Sequence, residues 1–134
     1  ALDAQEIGLR DEAVEALDPK FWFPEPGQGA LALVARHPIA EATALDHLPT
    51  RTALRTELAL IDAMAHHGTH TLGCLAQPSG RWIRLWAGAV SVAGDRIVRS
   101  NRTGPLDEPE GLGVAVADEL LARGYERLTP AGQS

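Results

Sequence analysis

Three histidines and the chain's single cysteine fall within nine positions of the stretch HHGTHTLGCLAQP, residues 66 to 78. Imidazole and thiolate are common zinc ligands, and the i, i+4, i+8 spacing of His66, His70 and Cys74 would align them on one side of a continuous helix. Gly68 and Gly73, with Thr69 and Thr71 between them, argue against such a helix, and no second cysteine pair completes a familiar zinc pattern. A polar helix end, where histidine complements the dipole, accounts for the imidazoles, and no metal site is assigned. Cys74 alone reads two ways. It is either a small buried core residue, the usual state of a free cysteine, or a thiolate nucleophile on an exposed loop, its pKa lowered by nearby cations. Residue types alone leave both readings open.

The elements that would position these residues are legible in outline. At 134 residues and 45% hydrophobic content the chain can bury a core as one domain or as one domain plus a piece of another. Residues 1 to 17 read as helix in two short pieces broken near Gly8, before the Asp18-Pro19 stop. FWFPEPGQG resists regular structure, and Ala30 to Ala35 is an apolar run of strand length, expected to be largely buried. Residues 37 to 49, with prolines near both ends, form a connector that could hold a helical turn. Thr50 is a helix cap, and Leu54, Leu58 and Ile61 place one face of a helix running from Arg51 to about Met64.

Next, RWIRLWAGAV alternates, with Ile83, Leu85, Ala87 and Ala89 on one side and Trp82, Arg84 and Trp86 on the other. Turns at Pro78-Ser79-Gly80 and Ala93-Gly94-Asp95 join this strand to the Cys74 stretch and to Arg96–Arg102, giving a three-stranded meander. Asp107 with Glu110 suggests an acidic capping box, after which Leu112, Val116 and Leu120 recur every four residues until Gly124. The expected fold is α+β: a three-stranded antiparallel sheet with helices on its Ile83/Leu85 face, preceded by a helix-loop-strand segment.

Composition also excludes classes of function. A net charge of −6 disfavours nucleic acid as a partner. The arginines gathered between residues 81 and 102 read as a solvated sheet face rather than an anion site. No apolar run is long enough to span a bilayer, and ALDAQEIGLRDE does not have the layout of a secretory signal. A single cysteine agrees with a reducing compartment, so the cytoplasm is the expected location. The opening ALDAQ, without an initiator methionine, suggests a fragment.

Several of these pieces together resemble the porphobilinogen deaminases, also called hydroxymethylbilane synthases. PGQGALALVAR resembles a family strand, TALRTELALIDAM the helix before the cofactor loop, and LGCLAQP the glycine-cysteine loop, with AHHGTH, carrying His66, His67 and His70, as an apparent insertion. GDRIVRSNRTGP and GLGVAVADELLARG resemble the last strand and closing helix. Order and approximate spacing match over nearly the whole chain. The resemblance implies that residues 1–49 are the end of the preceding domains and residues 50–134 a C-terminal cofactor-anchoring domain. It implies that Cys74 holds a dipyrromethane primer through a thioether, as a soft sulfur nucleophile suits an electrophilic pyrrolylmethyl carbon. Gln28 and Gly29 then lie near the cleft, and Arg36 could pair with a pyrrole carboxylate. The substrate would be porphobilinogen and the partners the missing N-terminal domains, whose catalytic aspartate this stretch lacks. The fragment alone would be inactive, and its orphaned strand, residues 29–36, would dock on its own sheet or on a second copy. A non-enzymatic binding or regulatory module of the same fold is the alternative, with a His/Cys metal domain behind it.

Overall fold

The computed structural model describes residues 17–37, 40–68 and 71–128. The expected N-terminal helices, His70 and the chain's last residues lie outside them. In chain order the elements are α1 (Ala40–Ala44), α2 (Leu48–Met64), β1 (Thr71–Ser79), β2 (Trp82–Val90), β3 (Ile97–Pro105) and α3 (Pro109–Ala122), closed by a 3-10 turn at Tyr125–Leu128. The three strands form one antiparallel meander in the order β1-β2-β3. Its register pairs Cys74 with Ala87 and Ala87 with Ser100.

The alternation in β2 does what its period dictates: Ile83, Leu85, Ala87 and Ala89 are all fully buried under the helices. From α3, Leu112, Val116 and Leu120 reach the same core, as their four-residue spacing predicts. The α+β fold with helices on one face of the sheet is therefore present as expected.

The face that α2 buries is not the expected one. Leu58 is 47% exposed, whereas Thr52, Thr56, Leu60 and Met64 form the buried stripe. The reason is close helix packing. A Cβ on Gly113 of α3 would lie 2.6 Å from the Thr56 carbonyl oxygen and 2.8 Å from the Ala59 Cβ, so α2 presents small side chains here. Burying threonine is tolerable because each hydroxyl donates back one turn, Thr52 to the Leu48 carbonyl at 2.9 Å and Thr56 to the Thr52 carbonyl at 3.0 Å.

Both helices also start differently from the sequence reading. α2 begins at Leu48, with His47 as its first flanking residue and Pro49 in the first turn, where a missing N–H costs nothing. Thr50 is inside the helix, and its hydroxyl meets His47 Nδ1 at 2.7 Å. At α3 the flanking residue is Glu108, and no side chain caps it. Glu110 instead accepts from Arg55 Nε at 2.6 Å, which ties the two helices together.

The larger correction concerns residues 30–35, which form no strand. Leu31, Leu33 and Val34 are 101%, 62% and 92% exposed. Apolar composition of strand length is not enough. A strand needs a free edge beside it, and the outer edge of β1 is already taken. Cys74 N–H donates to the Pro24 carbonyl at 2.9 Å, Ala76 N–H donates to Glu57, and Pro78, two residues on, has no N–H to offer.

Candidate functional site

Glu57 organises the junction of the glycine-rich loop, α2 and β1. It lies on the core side of α2, 7% exposed, where an unpaired carboxylate would be costly. Its two oxygens are used separately. Oε2 accepts the Gly27 N–H at 2.8 Å and Oε1 accepts the Ala76 N–H at 2.7 Å. The loop can offer its backbone because Gly27 and Gly29 have φ of +73° and +87°, the left-handed region that favours glycine. Turn hydrogen bonds from Gln28 N–H to the Glu25 carbonyl and from Ala30 N–H to the Gly27 carbonyl complete it.

This latch frames a cavity of about 320 Å³, walled by Gln28 and Gly29 from the loop, Thr50 and Leu54 from α2, and Leu75 and Gln77 from β1. The volume is at the low end for a small-molecule cleft. The Gln28 side chain is exposed and can both donate and accept. A Cβ on Gly29 would meet nothing within 4 Å, so the backbone here is open to a close approach.

Of the residues singled out from sequence, the structure brings Gln28 and Gly29 together at this cavity. Arg36 is exposed on the extended segment and does not line it. Cys74 is near in sequence but faces the other way. It lies in the middle of β1 rather than on a loop, on the helix-covered face with Ala76, and is 0% exposed. The expected exposed thiol is thus corrected, because the strand starts at Thr71, three residues before the cysteine. Burial, and then the nearby Glu57 carboxylate, push the Cys74 thiol up from 9.0 to about 12, so it is protonated at neutral pH and a poor nucleophile. Cys74 is not among the residues that wall the cavities of about 260, 320, 590 and 650 Å³.

The i, i+4, i+8 alignment of His66, His70 and Cys74 on one helix does not occur, since α2 ends at Met64 and Cys74 is in a strand. His67 Nδ1 lies 2.8 Å from Glu126 Oε1 instead. Among the described residues no group of three histidine, cysteine or acidic side chains is placed to hold a metal ion.

Glu57 is the residue that sequence reasoning passed over. The available signal was a carboxylate within a helix stripe that must pack, following a loop whose glycines leave N–H groups in need of acceptors. On the opposite face of the sheet, Gly73 and Gly88 are cross-strand partners that leave a notch for Phe23. A Cβ on Gly88 would lie 2.6 Å from the Phe23 ring. The Arg99 guanidinium sits 5.9 Å from the centre of that ring, and the Arg84 guanidinium and the Lys20 ammonium lie 5.0 and 5.5 Å from the centre of the Trp86 ring.

A helix-backed antiparallel meander with a glycine loop latched to its edge strand defines a small α+β unit, and no family model matches the chain. Curated relatives are more specific. The chain is 30% identical to a porphobilinogen deaminase of Methylobacillus flagellatus over 98% of its own length and 44% of the relative's. It is 34% identical to one of Stenotrophomonas maltophilia over 92% and 42%, and 33% identical to one of Mycobacteroides abscessus over 91% and 44%. These relatives place the chain in the porphobilinogen deaminase family, as a counterpart of its C-terminal region. The chain spans about two fifths of the length of these relatives. Among the described residues no helix is long and apolar enough to cross a membrane.

Proposed function

We propose that this chain is the C-terminal portion of a hydroxymethylbilane synthase, a cytoplasmic transferase of porphyrin and heme biosynthesis that joins four porphobilinogen units with loss of ammonia. The observation that carries this reading is similarity to porphobilinogen deaminases along nearly the whole chain, 98% of it in one case. In this reading the latched loop forms one wall of the cleft, with the Gln28 amide and the open backbone at Gly29 meeting the pyrrole substituents. Arg36 meets a pyrrole carboxylate once the rest of the protein is in place, since a guanidinium binds carboxylate in a fork. The exposed apolar run from Leu31 to Val34 is covered by those same domains or by a second copy. The division between the two parts falls close to residue 49, best set just before Leu48 so that α2 stays whole.

The dipyrromethane group implied by the family does not fit Cys74 in this fold. Its sulfur is 0% exposed and points into the helix-covered core. No catalytic step is routed through it. That burial favours a second reading, a non-catalytic module that retains the fold.

The test is to incubate the full-length gene product, and separately residues 1–134, with porphobilinogen and follow ammonia release and porphyrin absorbance after oxidation. The synthase reading expects turnover by the full-length protein and none by residues 1–134. A folded full-length protein that binds porphobilinogen without consuming it would overturn that reading in favour of the module.

A further inference from the structure

We infer that Cys74 remains a free, unalkylated thiol in the mature protein, and that residues 1–134 hold no thioether-linked pyrrole. This departs from the cofactor the family implies, and it holds whether or not the full-length protein turns porphobilinogen over.

Four observations combine. Cys74 occupies the fourth of nine positions in β1 and is paired with Ala87, itself fully buried. Turning its side chain outward requires a one-residue slip that would move every side chain of the strand to the other face, sending Leu75 into the core and Ala76 out of it. Such a slip is opposed from the outer edge by the Pro24 carbonyl on the Cys74 N–H and the Glu57 carboxylate on the Ala76 N–H. It is opposed from the exposed face as well, because Gly73 and Gly88 must stay opposite each other to admit the Phe23 ring. The strand is therefore held in register from its outer edge and from its exposed face.

Space is the second obstacle. Two linked pyrrole rings with their acidic side chains need a cleft in the range of roughly 300 Å³ and above. The cavity of about 320 Å³ beside β1 is lined by Leu75, Ala76 and Gln77 but not by Cys74. Position is the third. The connection between α2 and β1 is where an anchor could reach solvent, and its described residues are Ala65, His66, His67 and Gly68, none of them a thiol. The chain has a single cysteine, so no other sulfur nucleophile within it can take that role. Finally, the charge nearest Cys74 in effect is the Glu57 carboxylate, which opposes thiolate formation.

The experiment is mass analysis of the Cys74 peptide from full-length protein made in cells that synthesise porphobilinogen, alongside the Ehrlich colour reaction on the intact protein. The expected result is an unshifted peptide mass with a free thiol that takes up one alkylating group after denaturation. A peptide heavier by two pyrrole units, with the added mass localised to the sulfur of Cys74, would overturn the inference. The turnover assay is read separately, so a protein active with an unmodified Cys74 supports this inference and the proposed function together. An inactive protein with an unmodified Cys74 supports this inference and removes the proposed function.

Discussion

Two stretches of similar apolar content behave oppositely in this molecule. In WIRLWAGAV, residues 82–90, the backbone is hydrogen-bonded on both sides, and four of its side chains are fully buried. In ALALVA, residues 30–35, no neighbouring strand is present, and Leu31 and Val34 are almost wholly exposed. Burying apolar surface requires that the accompanying N–H and C=O groups find partners, and a central strand has two neighbours where a loop has none. The outer edge of β1 cannot serve, since Pro24, Glu57 and Pro78 occupy it. The difference between the stretches lies in backbone partners rather than in side-chain hydrophobicity.

The contrast can be broken from the sheet side with the largest effect. Gly113→Val forces a side chain against the Thr56 carbonyl and Ala59, which a Cβ alone would already approach to 2.6 and 2.8 Å. The expected loss is about 3 kcal/mol, read as a lower denaturation midpoint; unchanged stability would mean the helices are not this close. Next in size is Glu57→Ala, which leaves two N–H groups without acceptors at the point where loop and sheet join. A loss of about 2 kcal/mol is expected, with faster hydrogen exchange at Gly27 and Ala76. Equal exchange in variant and parent would remove the latch.

A smaller effect is expected from Phe23→Ala, which empties the Gly73/Gly88 notch while leaving the helix-backed core intact. About 1 to 2 kcal/mol should be lost, and exchange at the Cys74 N–H should quicken as the 21–24 segment lifts.

Two pH effects sharpen the same comparison. Because burial raises the Cys74 pKa from 9.0 to about 12, the unfolded chain ionises first as pH rises. This contribution to stability is complete below about 9 and is lost progressively towards 12, so Cys74→Ala should flatten the alkaline fall in stability over that window.

At the acid end, Glu119 is held below its usual range, first by the Ser100 hydroxyl at 2.5 Å, with Arg102 and Arg123 adding to it against some desolvation. Its contribution is present above the ordinary value of 4.5 and is lost as pH falls through the lowered one. Glu119→Gln should therefore weaken the acid dependence below 4.5, with the smallest change of the set. An acid limb identical to the parent's would show that Ser100 and the arginines do not act on this carboxylate.

How far the sequence reveals this arrangement depends on what kind of pattern carries it. The meander was legible because alternation in β2 and glycine turns on either side have few alternatives, and α3 was legible because leucine and valine mark its buried face. The buried face of α2 was not legible. Leu54, Leu58 and Ile61 pointed one way, while the close approach of Gly113 selected Thr56 and Ala59. That is a property of the pair of helices, invisible in either alone.

Gln28 and Gly29 were singled out through the family resemblance alone, and in the fold they line the cavity beside β1 on a loop opened by glycines of positive φ. Cys74 was misplaced because glycine before it and proline after it suggested a loop, whereas Gly73 serves to seat Phe23 and Pro78 to end the donors of an edge strand. Glu57 was missed because hydropathy counts a glutamate as surface, and only the loop donors opposite it make burial tolerable.

The account stands most directly on how Cys74 is reached by solvent. Native residues 1–134 should be treated with iodoacetamide at neutral pH across a series of low denaturant concentrations, and the labelling rate compared with the free energy of global unfolding. The expected result is negligible labelling without denaturant and a rate that rises in proportion to the globally unfolded fraction. Rapid labelling of the native protein, independent of denaturant, would contradict the placement of this sulfur beneath the helices.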